Sequence, residues 1–513
     1  MRRPVFVSLL WMIGATLGGC GARSVLAVDP PEVDAGAARD AGEDSGVAPA
    51  PDSGVDSGVD SGVVIEGPCQ RDADCGGGVC RRAVGEPPAD LVPLPLACGA
   101  TDPGGAPLGE ACRTAEQCDR GLCATSGVCV EPCGSHVDCA PDERCREVFV
   151  PTSPRSMQPL MACTALIAAP EGVRVVGPEP GPVVPGGMDF IDETLPTLGD
   201  NALVVWNGQA STTPFMASIS TRMPREVVVD LLDRPADGPA PVWGAGALTI
   251  TDTVTLLYPN GPNTPDASRG FTVSFGAGAR TPLERFVVQR SGEGRVIDVD
   301  AYLVGGGDWT ARGGRPPAEL NRAMADAGAV LRAAGVELGE LRVHEVFGAL
   351  RDDFAVLEGA SGPVGVPDEL DDMYRLTAGQ NRPGLAIFFV RSIEGALGIA
   401  SGIPGPHVLP GNGASGVAIS VDLIPLDEIG LVIAHEVGHY MGLFHTSEID
   451  GQVNDPFPDT EECRIARDRD GDGFLLPSEC RGAGADLLMF WAAQAGRISP
   501  QQSTVMRRAY FVR

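Results

Sequence analysis

The chain has 513 residues, 43% of them hydrophobic, and a formal net charge of −30, which is enough apolar material for cores in about three domains. The charge excludes nucleic acid as a partner, because a phosphate backbone would be repelled rather than neutralised. No lysine occurs anywhere, which removes Schiff-base chemistry, lysine general bases and the phosphate-binding P-loop together.

At the amino terminus, Arg2 and Arg3 precede an apolar run over 5–16 that is too short to span a bilayer. Leu17-Gly18-Gly19-Cys20 then resembles the cleavage box of bacterial lipoproteins. The resemblance implies a signal peptide over 1–20, a lipid on Cys20 and a place in the bacterial cell envelope. By resemblance to lipoprotein sorting in Gram-negative bacteria, Gly21, where an acidic residue is absent, implies the outer membrane or cell surface. The competing reading is an ordinary secretory signal with Cys20 lost. Residues 21–67 are rich in Asp, Gly and Ser and repeat Asp52-Ser53-Gly54-Val55 in tandem to Val63. With no apolar periodicity to bury, they read as a disordered, acidic tether with an r.m.s. reach of about 40 Å.

Fifteen cysteines indicate an oxidising compartment, and setting Cys20 aside leaves an even number, as seven disulfides require. Twelve of them fall in 68–164 as three four-cysteine units: Cys69, Cys75, Cys80, Cys98; Cys112, Cys118, Cys123, Cys129; and Cys133, Cys139, Cys145, Cys163. Such units have too little apolar material for a core and are stapled by disulfides. Zinc fits them poorly, since no C-x-x-C pair occurs and His136 is the only histidine in the region. They read as a structural or interaction module.

Residues 165–292 carry short β-branched runs at 203–206, 226–232, 248–258, 271–275 and 286–289, separated by Pro, Gly, Asn and Asp. This spacing predicts an all-β, sandwich-like accessory domain or pro-domain. From 293 to 513 strands and helices alternate: strands over 296–304, 341–346, 385–390, 396–400 and 417–421, an amphipathic helix over 317–334 that opens on a proline, and a second helix from about Asp427. A mixed sheet with helices packed on it follows.

That second helix carries His435, Glu436 and His439, followed by Gly442 and His445. Histidines four apart project from one helix face and can ligate one ion together. Glu436 beside them can take a proton from a metal-bound water. Gly442 permits the left-handed conformation that ends a helix and swings His445 round as a third ligand, leaving the fourth position open. An apolar core helix has no reason for these residues at these spacings.

The pattern H-E-x-x-H-x-x-G-x-x-H resembles the metzincin zinc metalloproteases and, among them, the pappalysin-like secreted proteases, over about the last 220 residues. The resemblance implies an α+β catalytic domain with a mixed sheet, whose third, fourth and fifth strands are Leu385–Val390, Leu397–Ala400 and Val417–Ser420. The fourth is the free sheet edge above the cleft, where a protein or peptide substrate adds as an extra strand. It also implies that Met489 lies beneath the zinc as a hydrophobic floor. Where several metzincins have a tyrosine two residues on, this chain has Trp491, and Tyr440 is no obvious replacement. Asp459-Thr460 resembles a family motif that follows the zinc site, without an assigned chemistry.

Between His445 and Met489, Cys463 and Cys480 are left to pair with each other. The loop they enclose has oxygen ligands in the EF-hand calcium order: Asp468, Asp470, Asp472, the Phe474 carbonyl and Glu479, with Gly473 at position 6. A solvated acidic loop is the alternative. The expectation is therefore a multidomain, surface-anchored zinc endopeptidase with Glu436 as general base, touching the membrane through its lipid alone. The alternative is a surface binding or adhesion lipoprotein whose protease fold is a catalytic relic.

Overall fold

The computed structural model describes residues 24–25, 67–83, 93–153, 156–165, 169–184, 190–195, 202–208, 215–222, 228–230, 244–245, 253–258, 271–277, 281–305, 309, 316–358, 369–406, 409–451, 454–455 and 457–513. Cys20, the Asp52–Val63 repeat and residues 248–252 lie outside them. Among the described residues no helix is long and apolar enough to cross a membrane.

The amino-terminal region is disulfide-rich, and each four-cysteine unit joins its first cysteine to its third and its second to its fourth. The pairs are Cys69–Cys80 and Cys75–Cys98, Cys112–Cys123 and Cys118–Cys129, and Cys133–Cys145 and Cys139–Cys163. All twelve sulfurs are spent in these bonds, so none is left for a metal. In the second unit the four half-cystines are themselves a buried cluster, as expected where a small module lacks other apolar residues.

The described strands between Val173 and Arg290 form two antiparallel sheets. One has four strands in the order Val228–Asp230, Phe215–Arg222, Phe271–Ala277, Phe190–Leu195; the other has five, in the order Gly244–Ala245, Thr253–Tyr258, Ala202–Gly208, Thr281–Arg290, Val173–Val184. Val173–Val184 escaped the sequence reading because it contains Pro178, Pro180 and Pro182. Proline has no N–H to give a ladder, and this strand is at a sheet edge, where that is tolerated.

The carboxy-terminal region is built on a mixed sheet. Its strands are β1 (Ser24–Val25), β2 (Val296–Leu303), β3 (Glu337–Glu345), β4 (Leu385–Val390), β5 (Gly398–Ala400) and β6 (Val417–Ser420), in the order β1-β5-β6-β4-β2-β3. β3, β2, β4 and β6 run parallel, and β5 is antiparallel to β6. β4 reads as an unbroken apolar run because every one of its residues is buried, as a central parallel strand covered on both faces requires. The helices are α1 (Ala318–Leu331), α2 (Gly348–Phe354), α3 (Glu369–Tyr374), α4 (Ile429–Tyr440) and α5 (Pro500–Arg508). α1 and α4 bury Leu320, Ala327, Ile433 and Val437 against Ile387 and Phe389 of one sheet face. α2 and α3 cover the other face, where Tyr374 and Phe354 join Tyr302 and Phe388.

One expectation changes here. The edge strand β5 is not free: Ser24 and Val25, inside the segment read as tether, pair antiparallel with Ala400 and Ile399. An edge strand offers unpaired N–H and C=O groups that any extended segment can satisfy. The disulfide units and the β region, moreover, pack onto the carboxy-terminal region. Met157 lies in the same core as Tyr302 and Val346, and the Asn381 amide donates to the Gly109 carbonyl. The loop 401–416, which follows β5, is held from both sides. Arg146 donates to the Pro410 carbonyl at 3.0 Å, Thr255 Oγ1 donates to the Pro404 carbonyl at 2.7 Å, and Leu409 is buried with Val205, Phe286 and Val288.

Candidate metal centre

α4 is apolar almost all round and buried along its length, from Ile429 to Tyr440, so its polar residues enter the interior together. His435, Glu436 and His439 are fully buried and His445 is 6% exposed. Gly442 ends the helix with φ at 109°, a conformation that side chains other than glycine's rarely adopt. Its N–H donates to the His439 carbonyl and that of Leu443 to the Gly438 carbonyl, at 2.8 and 3.0 Å. The reversal brings His445 back against the helix.

The three imidazoles meet at their Nε2 atoms. His435 Nε2 is 3.0 Å from that of His439 and 3.2 Å from that of His445. Each ring's other nitrogen faces an acceptor: Nδ1–H of His435 donates to the Leu488 carbonyl (2.7 Å), that of His439 to the Leu443 carbonyl (2.6 Å), and that of His445 to Glu448 Oε2 (2.8 Å). With Nδ1 holding the proton, all three Nε2 lone pairs converge on one point. A tetrahedral ion with bonds of about 2.0–2.1 Å separates its ligands by about 3.3 Å, close to these spacings. Burial, reinforced by His445, pushes His435 down to about 3. Burial, reinforced by His435 and His445, pushes His439 well below its ordinary value. Both rings are thereby kept neutral, the state in which imidazole ligates. The residues fit a zinc-like ion.

Glu436 reaches beneath the edge strand. A Cβ built on Gly398 of β5 would be 2.6 Å from Glu436 Cγ, so only glycine leaves room for it. Both Glu436 oxygens are buried without a hydrogen-bond partner of good geometry. Desolvation pushes the carboxyl well above its usual range, against an opposing pull from the Ala400 amide. A buried carboxylate left without partners is costly, and a cation or an ordered water at the imidazole cluster would supply one.

Met489 is fully buried, and its Sδ would be 2.6 Å from a Cβ on Gly438, the residue before His439. The same turn supplies the Leu488 carbonyl to His435, and its Met489 carbonyl accepts from Thr446 N at 2.8 Å. Trp491 faces away, with its Nε1–H donating to the Leu475 carbonyl at 2.9 Å. Tyr440 packs its ring against Gly405 and Phe511, so neither aromatic joins the imidazoles. Asp459 holds the start of α5, accepting from Ser499 Oγ and Gln501 N at 2.8 and 2.9 Å.

Cys463 and Cys480 are bonded. In the loop they enclose, Asp468 accepts from the Gly471 and Gly473 amides (2.7 and 2.9 Å), Asp472 from Phe474 N (2.8 Å), and Glu479 from Arg469 and Leu476 N (2.7 and 2.9 Å). Asp470, more weakly engaged by Asp472 N at 3.4 Å, is pushed up by desolvation and by the charges of Asp472 and Glu479. The loop makes no helix after Pro477, as that proline requires.

The sequence reading missed Glu448, Gly438 and Gly398. Glu448 carried a signal, a carboxylate three residues beyond His445, whereas the two glycines matter only through partners distant in the chain. No known protein-family model matches the chain, and no curated protein matches it.

Proposed function

We propose that the chain is a zinc endopeptidase of metzincin type, resembling the pappalysin-like enzymes, that hydrolyses protein or peptide substrates outside the cytoplasm. The observation that carries this reading is the convergence of three Nε2 atoms, each with its Nδ1 held by an acceptor, beside a buried carboxylate whose oxygens have no hydrogen-bond partner of good geometry. His435, His439 and His445 hold the ion. Zinc in such a site supplies Lewis-acid polarisation of a carbonyl and a water whose pKa is brought to about 7.

The remaining chemistry falls to the chain's own residues. Glu436 accepts the water's proton and delivers it to the leaving amine nitrogen. The β5 backbone, one residue layer from Glu436, orients an extended peptide by main-chain hydrogen bonds where that peptide displaces Ser24 and Val25 from its edge. Burial of the site excludes bulk water and strengthens these interactions. The seven disulfides fit an oxidising compartment, and Cys20 serves as the lipid anchor to a bacterial envelope. Calcium is the second cation of this reading, held by Asp468, Asp470, Asp472, the Phe474 carbonyl and Glu479.

The test is hydrolysis of denatured casein by the purified protein with and without a zinc chelator. Cleavage that the chelator abolishes and added zinc restores supports the proposal. A protein that leaves casein intact under all conditions counts against the proposal and in favour of the adhesion lipoprotein with a relic fold.

A further inference from the structure

The three ligand histidines are not held alike. His435 and His439 donate Nδ1–H to main-chain carbonyls, those of Leu488 and Leu443, which any sequence in the same fold would offer. His445 alone donates to a side chain, the Glu448 carboxylate at 2.8 Å. A carboxylate partner fixes the tautomer, orients the ring and makes the opposite nitrogen a stronger donor.

Glu448 is itself mounted from two directions. On one side, Thr446 N donates to the Met489 carbonyl and Ser447 pairs with Phe490. On the other lies the insert closed by Cys463–Cys480. Cys463 N donates to Ser447 Oγ at 2.8 Å, and Leu475 N donates to the Ile449 carbonyl at 2.7 Å. The Leu475 carbonyl in turn accepts from Trp491 Nε1 at 2.9 Å. Leu475 therefore ties the residue after Glu448 to the segment that carries Met489.

We propose that Glu448 is a positioning residue of the metal centre, setting zinc retention through His445, and that the Cys463–Cys480 insert is the brace that holds Glu448 in place. The inference rests on the zinc reading above. Were Glu448 merely one half of a surface pair three residues apart, its removal would change little.

The test is zinc affinity, measured by competition with a chromophoric chelator on the full chain at one pH, together with the unfolding midpoint of the metal-free protein. The variants are Glu448→Ala, Glu448→Gln and, as a charge control, Glu462→Ala, whose carboxylate faces Arg464 and not a histidine. Loss of an outer carboxylate weakens zinc about 10- to 100-fold in such sites. We expect that loss in Glu448→Ala and a smaller one in Glu448→Gln, whose amide oxygen still accepts the N–H without the charge. Glu462→Ala should bind as the wild type does, and the metal-free midpoints should coincide. Zinc affinity in both Glu448 variants within twofold of a tightly binding wild type overturns this inference alone. A wild type that retains no zinc overturns the reading on which it rests.

Discussion

Gly438→Ala separates helix propensity from packing by the sign of its effect. Alanine in place of glycine within a helix is favourable by about 1 kcal/mol, so a solvent-facing α4 would gain stability. The added Cβ, however, would stand 2.6 Å from Met489 Sδ, where non-bonded contact needs about 3.5–4.0 Å. Met489 is fully buried and must move by about 1 Å into occupied space, an overpacking that costs about 1–3 kcal/mol. Taking the middle of that range, the net is a loss of about 1 kcal/mol. The displacement also reaches the metal centre, because the adjacent Leu488 carbonyl accepts from His435 and the Met489 carbonyl from Thr446 N. Urea unfolding of the metal-free protein should show the loss, and chelator competition should show weaker zinc binding. A variant stabilised by about 1 kcal/mol with unchanged zinc affinity refutes the placement of Met489 beneath the histidines.

Asp455 is buried, and desolvation pushes it up to about 7 although Thr460, Phe457 N and Gln502 donate to it. The folded chain thus holds a proton that the unfolded chain gives up near the ordinary aspartate value of 3.8. Its contribution to stability is full below that value, falls as the pH rises to about 7, and is then constant, on the order of 4 kcal/mol in all. In Asp455→Asn that slope should vanish, so the variant's stability relative to the wild type should climb between pH 5 and 8; parallel curves contradict the assignment. A chain beginning at residue 67 lacks the β1 pairing on β5, and at about 1 kcal/mol per hydrogen bond its KM for peptides should fall several-fold; an unchanged KM would show that β1 does not compete with substrate. Calcium at about 100 times its Kd should stabilise the protein by about 2.7 kcal/mol, an increment that Asp468→Asn should remove; a melting temperature indifferent to calcium rules out the loop as a cation site.

What was legible in the sequence follows from how local each interaction is. The cluster of His435, Glu436, His439 and His445 could be read because these residues lie within a single short stretch, where helical geometry and one glycine turn fix their relation. β4 was equally plain, since a strand covered on both faces is apolar throughout. By contrast, Gly438 and Met489 meet across an intervening insert, and nothing in either residue announces the other. Disulfide parity was readable but connectivity was not, because alternation within each unit depends on how its loops cross. Arg146 and Pro410 are 264 positions apart, so docking of the disulfide units on the loop after β5 is a property of the folded surface. Val173–Val184 was hidden by its prolines, which argue against a strand everywhere except at an edge.

Zinc content and peptide hydrolysis, measured together on the wild type and Glu436→Ala, test the central claim most directly. The three clustered imidazoles are untouched by this substitution, while the only carboxylate beneath β5 found without a good partner among the described residues is removed. One zinc per chain in both proteins, with turnover lost by about 10²-fold or more in the variant, is the predicted result. Undiminished turnover in Glu436→Ala, or a wild type that hydrolyses peptides without zinc, contradicts the account.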